Sequence, residues 1–246
     1  MAAGTITAQE GAARLDSLEA ASEGAAPAAT GVLPETATRR VTVISQLGST
    51  EIIGDPDVKF AVADGPHRAR QEGDTMVIEH LPFEESGSFA FGKGDRRIRL
   101  GGFEAQHRKL RVRMNPELPL KATVQAGNVR VEGLHGPIAS EVQAGNCKVE
   151  DFRGPLDLVV MAGNISASGR LVAGASKVRC EMGSVKIDLE RGSSVRITAH
   201  TTLGKVAIEG AGGELLGQSG RDVTIGAGAG TLDVDCTMGN VRLRAE

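Results

Sequence analysis

The chain has 246 residues, a formal net charge of −3, 33 glycines, six Phe and neither Trp nor Tyr. That length suits one large domain with extensions, and the near-neutral balance excludes a global bias towards polyanions, which makes nucleic acid a poor candidate partner. No apolar run approaches the roughly 18 residues of a membrane span, and Met1–Gly4 opens neither the basic region nor the apolar core of a signal peptide.

Taken in order, residues 1–22 predict one short helix over Gly4-Thr-Ile-Thr-Ala-Gln-Glu-Gly-Ala-Ala-Arg-Leu-Asp-Ser-Leu-Glu19. Thr7 can cap it, Glu10 completes a capping box, and Ala8, Ala12, Leu15 and Leu18 make one weakly apolar stripe. Three turns are marginal alone in water, so this helix either docks on a partner, self-associates or stays a partly ordered tail. Residues 23–39 are rich in Ala, Pro, Gly, Glu and Thr, the composition of a flexible linker. Strand pattern starts at Arg40-Val-Thr-Val-Ile44, and two irregular coils are expected around Leu47–Ile53 and Glu72–Ile78. Atypical end repeats are what a stack needs to cover its exposed core.

Residues 83–113 interrupt that pattern. Four of the six Phe lie between Phe83 and Phe103, and Lys93 to Arg113 holds eight Lys/Arg against Asp95 and Glu104, a net +6. Phe89, Phe91 and Phe103 interleaved with Lys93, Arg96, Arg97, Arg99, Arg108, Lys109, Arg111 and Arg113 form the candidate binding surface, suited to an anionic membrane or an acidic protein. The competing reading of Arg111-Val-Arg113 is a one-sided strand with a solvated edge.

From Ala122 to Glu246 one phrase recurs. It reads Ala-Gly-Asn-Val-Arg-Val (126–131), Ala-Gly-Asn-Cys-Lys-Val (144–149), Ala-Gly-Asn-Ile-Ser-Ala (162–167), Met-Gly-Ser-Val-Lys-Ile (182–187) and Leu-Gly-Lys-Val-Ala-Ile (203–208). A looser Ser-Gly-Arg-Asp-Val-Thr-Ile (219–225) and Met-Gly-Asn-Val-Arg-Leu (238–243) complete it. The glycines step by 18, 18, 20, 21, 16 and 19 residues. Alternating apolar positions flank each glycine with the strand period of 2, and no helical pattern separates the copies. The prediction is an all-β protein: a single right-handed β-solenoid of short coils of 18–20 residues over 40–246, regular from 122 onwards. Narrow coils also account for the shortage of aromatics, because small and β-branched side chains fill them. Asn128, Asn146, Asn164, Ser184, Lys205 and Asn240 share the turn column and should stack as a hydrogen-bonded ladder. Arg130, Lys148, Lys186 and Arg242 form one outward column, and Glu132, Glu150, Asp188 and Glu209 the next.

Chemistry is sparse. Cys147 falls in the column of Val129, Ile165 and Val185, so it should face inward. Cys180 and Cys236 fall in the column of Val124 and Val142, two coils apart and therefore not partners. An odd number of core-facing thiols favours a reducing compartment. Gly87-Ser-Phe-Ala-Phe-Gly92-Lys93 approaches a phosphate-binding loop, but Gly94 stands where Ser or Thr is required and no helix can follow. Gly226–Gly230 is no dinucleotide fingerprint, no nucleophile elbow occurs, and the histidines have no ligand spacing. The expectation is no catalytic residue, no metal and no cofactor: a protein that is not an enzyme.

These Gly-Asn-Val/Ile phrases, spread over roughly 40–246, resemble the bacterial β-strand-repeat family labelled "putative adhesin", also called the GIN-head or toast-rack domain. The Gly4–Glu19 stretch is similar to the SHOCT-like N-terminal element of YvlB- and LiaX-type proteins, with Gln9-Glu10 in place of an acidic pair and Gly11 in place of Ala. The resemblance implies a non-enzymatic binding or scaffold component of bacterial envelope-stress signalling, cytoplasmic or peripheral to the inner face of the membrane. It carries no catalytic residues. Two alternatives are a self-assembling scaffold similar to bactofilins, which would make homo-oligomers, and a secreted or surface adhesin.

Overall fold

A computed structural model describes residues 39–81, 109–210, 213–217 and 220–245, with side chains in 213–221 left aside. The expected helix, the linker up to residue 38 and the insertion up to Arg108 lie outside these residues. The described part is all-β, with no helix: mostly parallel strands in one strongly curled, open half-barrel sheet.

The unit is a rung of two arms joined at a glycine corner. The first regular rung is one bent strand, and the next rungs each use two. In chain order the strands are β1 (Arg40–Gly54), β2 (Ala61–Asp64), β3 (His67–Glu72), β4 (Thr75–His80), β5 (Lys109–Met114) and β6 (Leu120–Glu132). There follow β7 (Ile138–Ala144) with β8 (Cys147–Phe152), β9 (Leu156–Ala162) with β10 (Ile165–Gly169), and β11 (Gly174–Met182) with β12 (Val185–Leu189). The last are β13 (Val195–Leu203) with β14 (Val206–Gly210), β15 (Gly213–Gly217), β16 (Gly220–Ile225), and β17 (Gly230–Met238) with β18 (Val241–Ala245).

Glycine is demanded at the corners. Gly127, Gly145, Gly163 and Gly183 have φ of +147°, +139°, +144° and +145°. A Cβ on any of them would collide with the carbonyl oxygen of the corner glycine stacked beneath it. The corner thus needs both a left-handed backbone and an empty space, which only glycine supplies. Beside it the asparagine ladder forms over Asn128, Asn146 and Asn164, and at Ser184 and Lys205 only the backbone amide joins it. Asn146 Nδ2 donates to Asn128 Oδ1 at 3.0 Å, and Asn164 Nδ2 donates to Asn146 Oδ1 at 3.0 Å. The backbone amide of each following corner donates to the same oxygens.

Alternate residues of both arms point inward and make one continuous core. Val124, Val142 and Val160 stack from the first arm, Val129, Cys147 and Ile165 from the second, and Leu134, Phe152 and Leu171, at or just past the end of the second arm, are buried with them. Each fully buried aliphatic side chain stabilises by about 1.5–3 kcal/mol before entropy is counted.

Stacking order departs from chain order at both ends. The rung β17/β18 does not follow β13/β14; it lies between β11/β12 and β13/β14, parallel to both. The strand β1 likewise lies between β6 on one side and β4 and β5 on the other. Beyond the outer rung, each end carries one antiparallel pair of strands: β3 on β4 and β2 on β5 at one end, β16 on β13 and β15 on β14 at the other. Read inward from either terminus, the sequence of events is the same: inner rung, antiparallel closure, outer rung, stack.

Three expectations change accordingly. The phrase at 219–225 is not a parallel coil, because Gly220–Ile225 runs antiparallel to β13. Gly73-Asp74 is not a coil corner but the turn of the β3–β4 hairpin, with Gly73 at φ +57°. Cys180 and Cys236 are not two coils apart. The displaced rung makes them register partners on neighbouring strands.

Candidate functional site

Of the basic stretch singled out in the sequence, Lys109, Arg111 and Arg113 lie within the described residues. Phe89, Phe91, Lys93, Arg96, Arg97, Arg99, Phe103 and Arg108 lie outside them. The segment Lys-Leu-Arg-Val-Arg-Met of β5 alternates strictly: Leu110, Val112 and Met114 are fully buried, so the three cations must face outward. There β1 and the residue that follows it meet them with acids. Glu51 Oε2 sits 2.9 Å from Lys109 Nζ and 2.7 Å from Arg111 Nε, and Asp55 Oδ2 sits 3.5 Å from Arg113 Nη1. Hydrogen bonds from Lys109 and then Arg111 hold the Glu51 carboxyl below the usual carboxylate range. This part of the basic strand is an ion-paired outer face with one cation in excess of its acids.

The second arm carries the two predicted charge columns, and they pair within and between rungs. Arg130 reaches Glu150 at 2.8 Å and Glu132 at 3.3 Å, Lys148 reaches Glu150 at 2.9 Å, and Lys186 reaches Asp188 at 2.9 Å. Arg242 and Arg244 share Glu209 at 3.3 and 2.6 Å. Half-exposed pairs of this kind contribute about 0–1 kcal/mol each. A cleft of about 590 Å³ lies where these columns end, lined by Ser168, Asp188, Glu190, Glu209 and Arg244 among others. Its Asp188 and Glu209 carboxylates already face cations. Among the described residues no three His, Cys, Asp or Glu side chains are grouped to hold a metal ion.

Two features escaped the sequence reading. The residue before each corner glycine forms an outward ridge along the stack: Leu47, Ala126, Ala144, Ala162, Met182, Met238 and Leu203 in spatial order. Its ends are bulky and bare, Leu203 being 64% exposed and Leu47 44%. The signal is the Ala, Met or Leu that opens every copy of the phrase except the looser one at Ser219. The second feature is a buried polar pair at the first-arm end of β4, where Ser45 Oγ and His80 Nδ1 are 2.8 Å apart. Both residues are buried, and burial pushes the His80 imidazole below its ordinary value.

Comparison with known proteins adds a likeness of shape. No family model matches the chain, and no curated protein matches it. The structure is similar to the crystal structure of a "putative cell adhesion protein" from Clostridium sporogenes, at 13% sequence identity and a TM-score of 0.45, over 87% of this chain and 97% of the other. What the two have in common is an all-β curled sheet.

Among the described residues, no helix is long and apolar enough to cross a membrane.

Proposed function

We propose that this protein works by binding and not by catalysis, as a β-solenoid platform of short right-handed coils within bacterial envelope-stress signalling. On this reading it resides in the cytoplasm or at the inner face of the membrane, and its partner is a protein or an anionic membrane surface. The observation that carries the reading is the closure of both ends. A stack that polymerises needs flat, open, parallel edges, whereas among the described residues the outermost strands on each side are an antiparallel pair. At one end β2 is only four residues long, and β3 places Arg68, Arg70 and Glu72 on an exposed edge. Short, charged edges resist pairing with another copy. That favours a discrete binding module over a bactofilin-like filament.

The binding surface on this reading is the stretch Lys93–Arg113 with Phe89, Phe91 and Phe103. The envelope-stress assignment rests on the resemblance of the repeats and of the N-terminal phrase. The test is light scattering after size exclusion, followed by sedimentation with anionic phosphatidylserine vesicles at low and high salt. A small particle that sediments with vesicles only at low salt supports the proposal, and Arg96/Arg97/Arg99→Ser should then stay in the supernatant. Open-ended polymers without lipid would replace it with the scaffold reading. A lipid-indifferent monomer would discard the membrane arm and direct the search to a protein partner.

A further inference from the structure

The displaced rung has a chemical consequence. Cys180 and Cys236, 56 residues apart in the chain, are Cα partners on the parallel neighbours β11 and β17. Neighbouring strands lie about 4.8 Å apart, inside the roughly 4.4–6.8 Å Cα separation that a disulfide spans. Both side chains face the core and both are 2% exposed. Each also donates to the carbonyl of the corner glycine one rung below, Cys180 to Gly163 at 3.5 Å and Cys236 to Gly183 at 3.7 Å. Cys147 has no such neighbour, because its column partners are Val129 and Ile165.

We propose that Cys180 and Cys236 are a disulfide-forming modification site that latches β17 into its slot, with a small disulfide such as oxidised glutathione as the oxidant. One protein thiolate attacks a sulfur of the oxidant, breaking its S–S bond and releasing the first glutathione thiol. The other protein thiolate then attacks the mixed disulfide and releases the second. Two protein thiols lose two electrons and two protons, and one oxidised glutathione becomes two reduced molecules.

Timing follows from burial. In the closed stack desolvation pushes the Cys180 thiol up to about 12, so little thiolate is present and the oxidant has no path to it. The exchange therefore runs while the C-terminal rung is docking or has opened, and the finished bond is sealed. It closes the loop that contains β12 to β16, so both the outer rung and the antiparallel closure become tied to the stack.

The experiment refolds the full chain from its reduced, unfolded state with a mixture of oxidised and reduced glutathione, then alkylates free thiols and maps peptides by mass. The expected product links Cys180 to Cys236 with the loss of two hydrogens, leaves Cys147 unlinked, and melts on the order of 10 °C above the reduced protein. Cys180→Val and Cys236→Val should fold, since valine fills the same column at positions 124, 142 and 160, and should gain nothing from the oxidant. Three unlinked thiols after refolding, a lasting glutathione adduct, a link through Cys147, or a linked form no more stable than the reduced one would each overturn the proposal.

Discussion

Replacing Gly163 by alanine tests the corner directly. Gly163 has φ +144°, and a Cβ there would strike the Gly145 carbonyl oxygen and carbon. Both of those are backbone atoms held in the stack, since Gly145 N–H donates to Ala162 O at 2.9 Å and Gly163 N–H to Met182 O at 2.9 Å. The new methyl cannot be accommodated by rotating a side chain, so the corner itself must open. The backbone strain costs about 1–3 kcal/mol. Opening also pulls Asn164 away from Asn146 Oδ1, which accepts its amide N–H at 3.2 Å and its Nδ2 at 3.0 Å, about 1 kcal/mol each. The sum is about 3–5 kcal/mol, or on the order of 10 °C in Tm for a domain of this size. Gly73→Ala is the matched control: φ is +57° and no atom lies within 4 Å of its added Cβ. It carries only the left-handed penalty, about 1–2 kcal/mol. Urea titrations followed by far-UV circular dichroism compare the two. Equal losses, or a Gly163→Ala loss below about 1 kcal/mol, would refute the stacked-corner account.

The other predictions concern the ends of the array. Deleting residues 230–246 removes Leu232, Val234, Cys236, Val241 and Leu243 from the core and leaves β13/β14 without a parallel neighbour. Amide exchange should then show weakened protection throughout 195–210, whose remaining parallel pairing is a non-native one onto β11 and β12, while 120–169 stays protected; protection at 195–210 equal to that of the full chain would show that this substitute pairing replaces the rung in full. His80 supplies a pH dependence. Its folded value lies below the ordinary histidine value of about 6.5, so the native state binds fewer protons than the unfolded chain. Its contribution is complete above pH 6.5 and is lost as pH falls below it. The wild type should weaken relative to His80→Gln between pH 7.5 and pH 5.5, and parallel pH profiles for the two would reject the assignment.

The architecture was legible where one residue type is physically compulsory. Corner glycines at 127, 145, 163 and 183 announce the period because nothing else fits, and Asn128, Asn146 and Asn164 announce the ladder because each side chain bonds to the equivalent corner one rung away. Order within the stack was hidden because the corners are interchangeable: Gly239 meets Gly183 as Gly163 meets Gly145. One clue was present. Cys180-Glu-Met-Gly183 and Cys236-Thr-Met-Gly239 share two residues that no other copy has, and the two segments are neighbours. The hairpin turn at Gly73 was mistaken for a corner because both sites need glycine at positive φ, and sequence does not record which way the chain leaves. At the candidate surface, the alternation of Arg111-Val-Arg113 is that of a one-sided strand, and Lys109 shares its outer face. Their acids, Glu51 in β1 and Asp55 just after it, lie some 60 residues earlier and could not be matched to them by spacing.

The nested ends also set the order of events during synthesis. β11 and β13 leave the ribosome before the strand that must separate them has been made. Both carry the same inward alternation, so β13 has every physical reason to zip directly onto β11 in the meantime. Each nascent molecule must therefore hold that slot open or reopen it. The last rung enters by displacing a competitor that closely resembles it, which makes completion of the array a strand-exchange reaction with its own barrier.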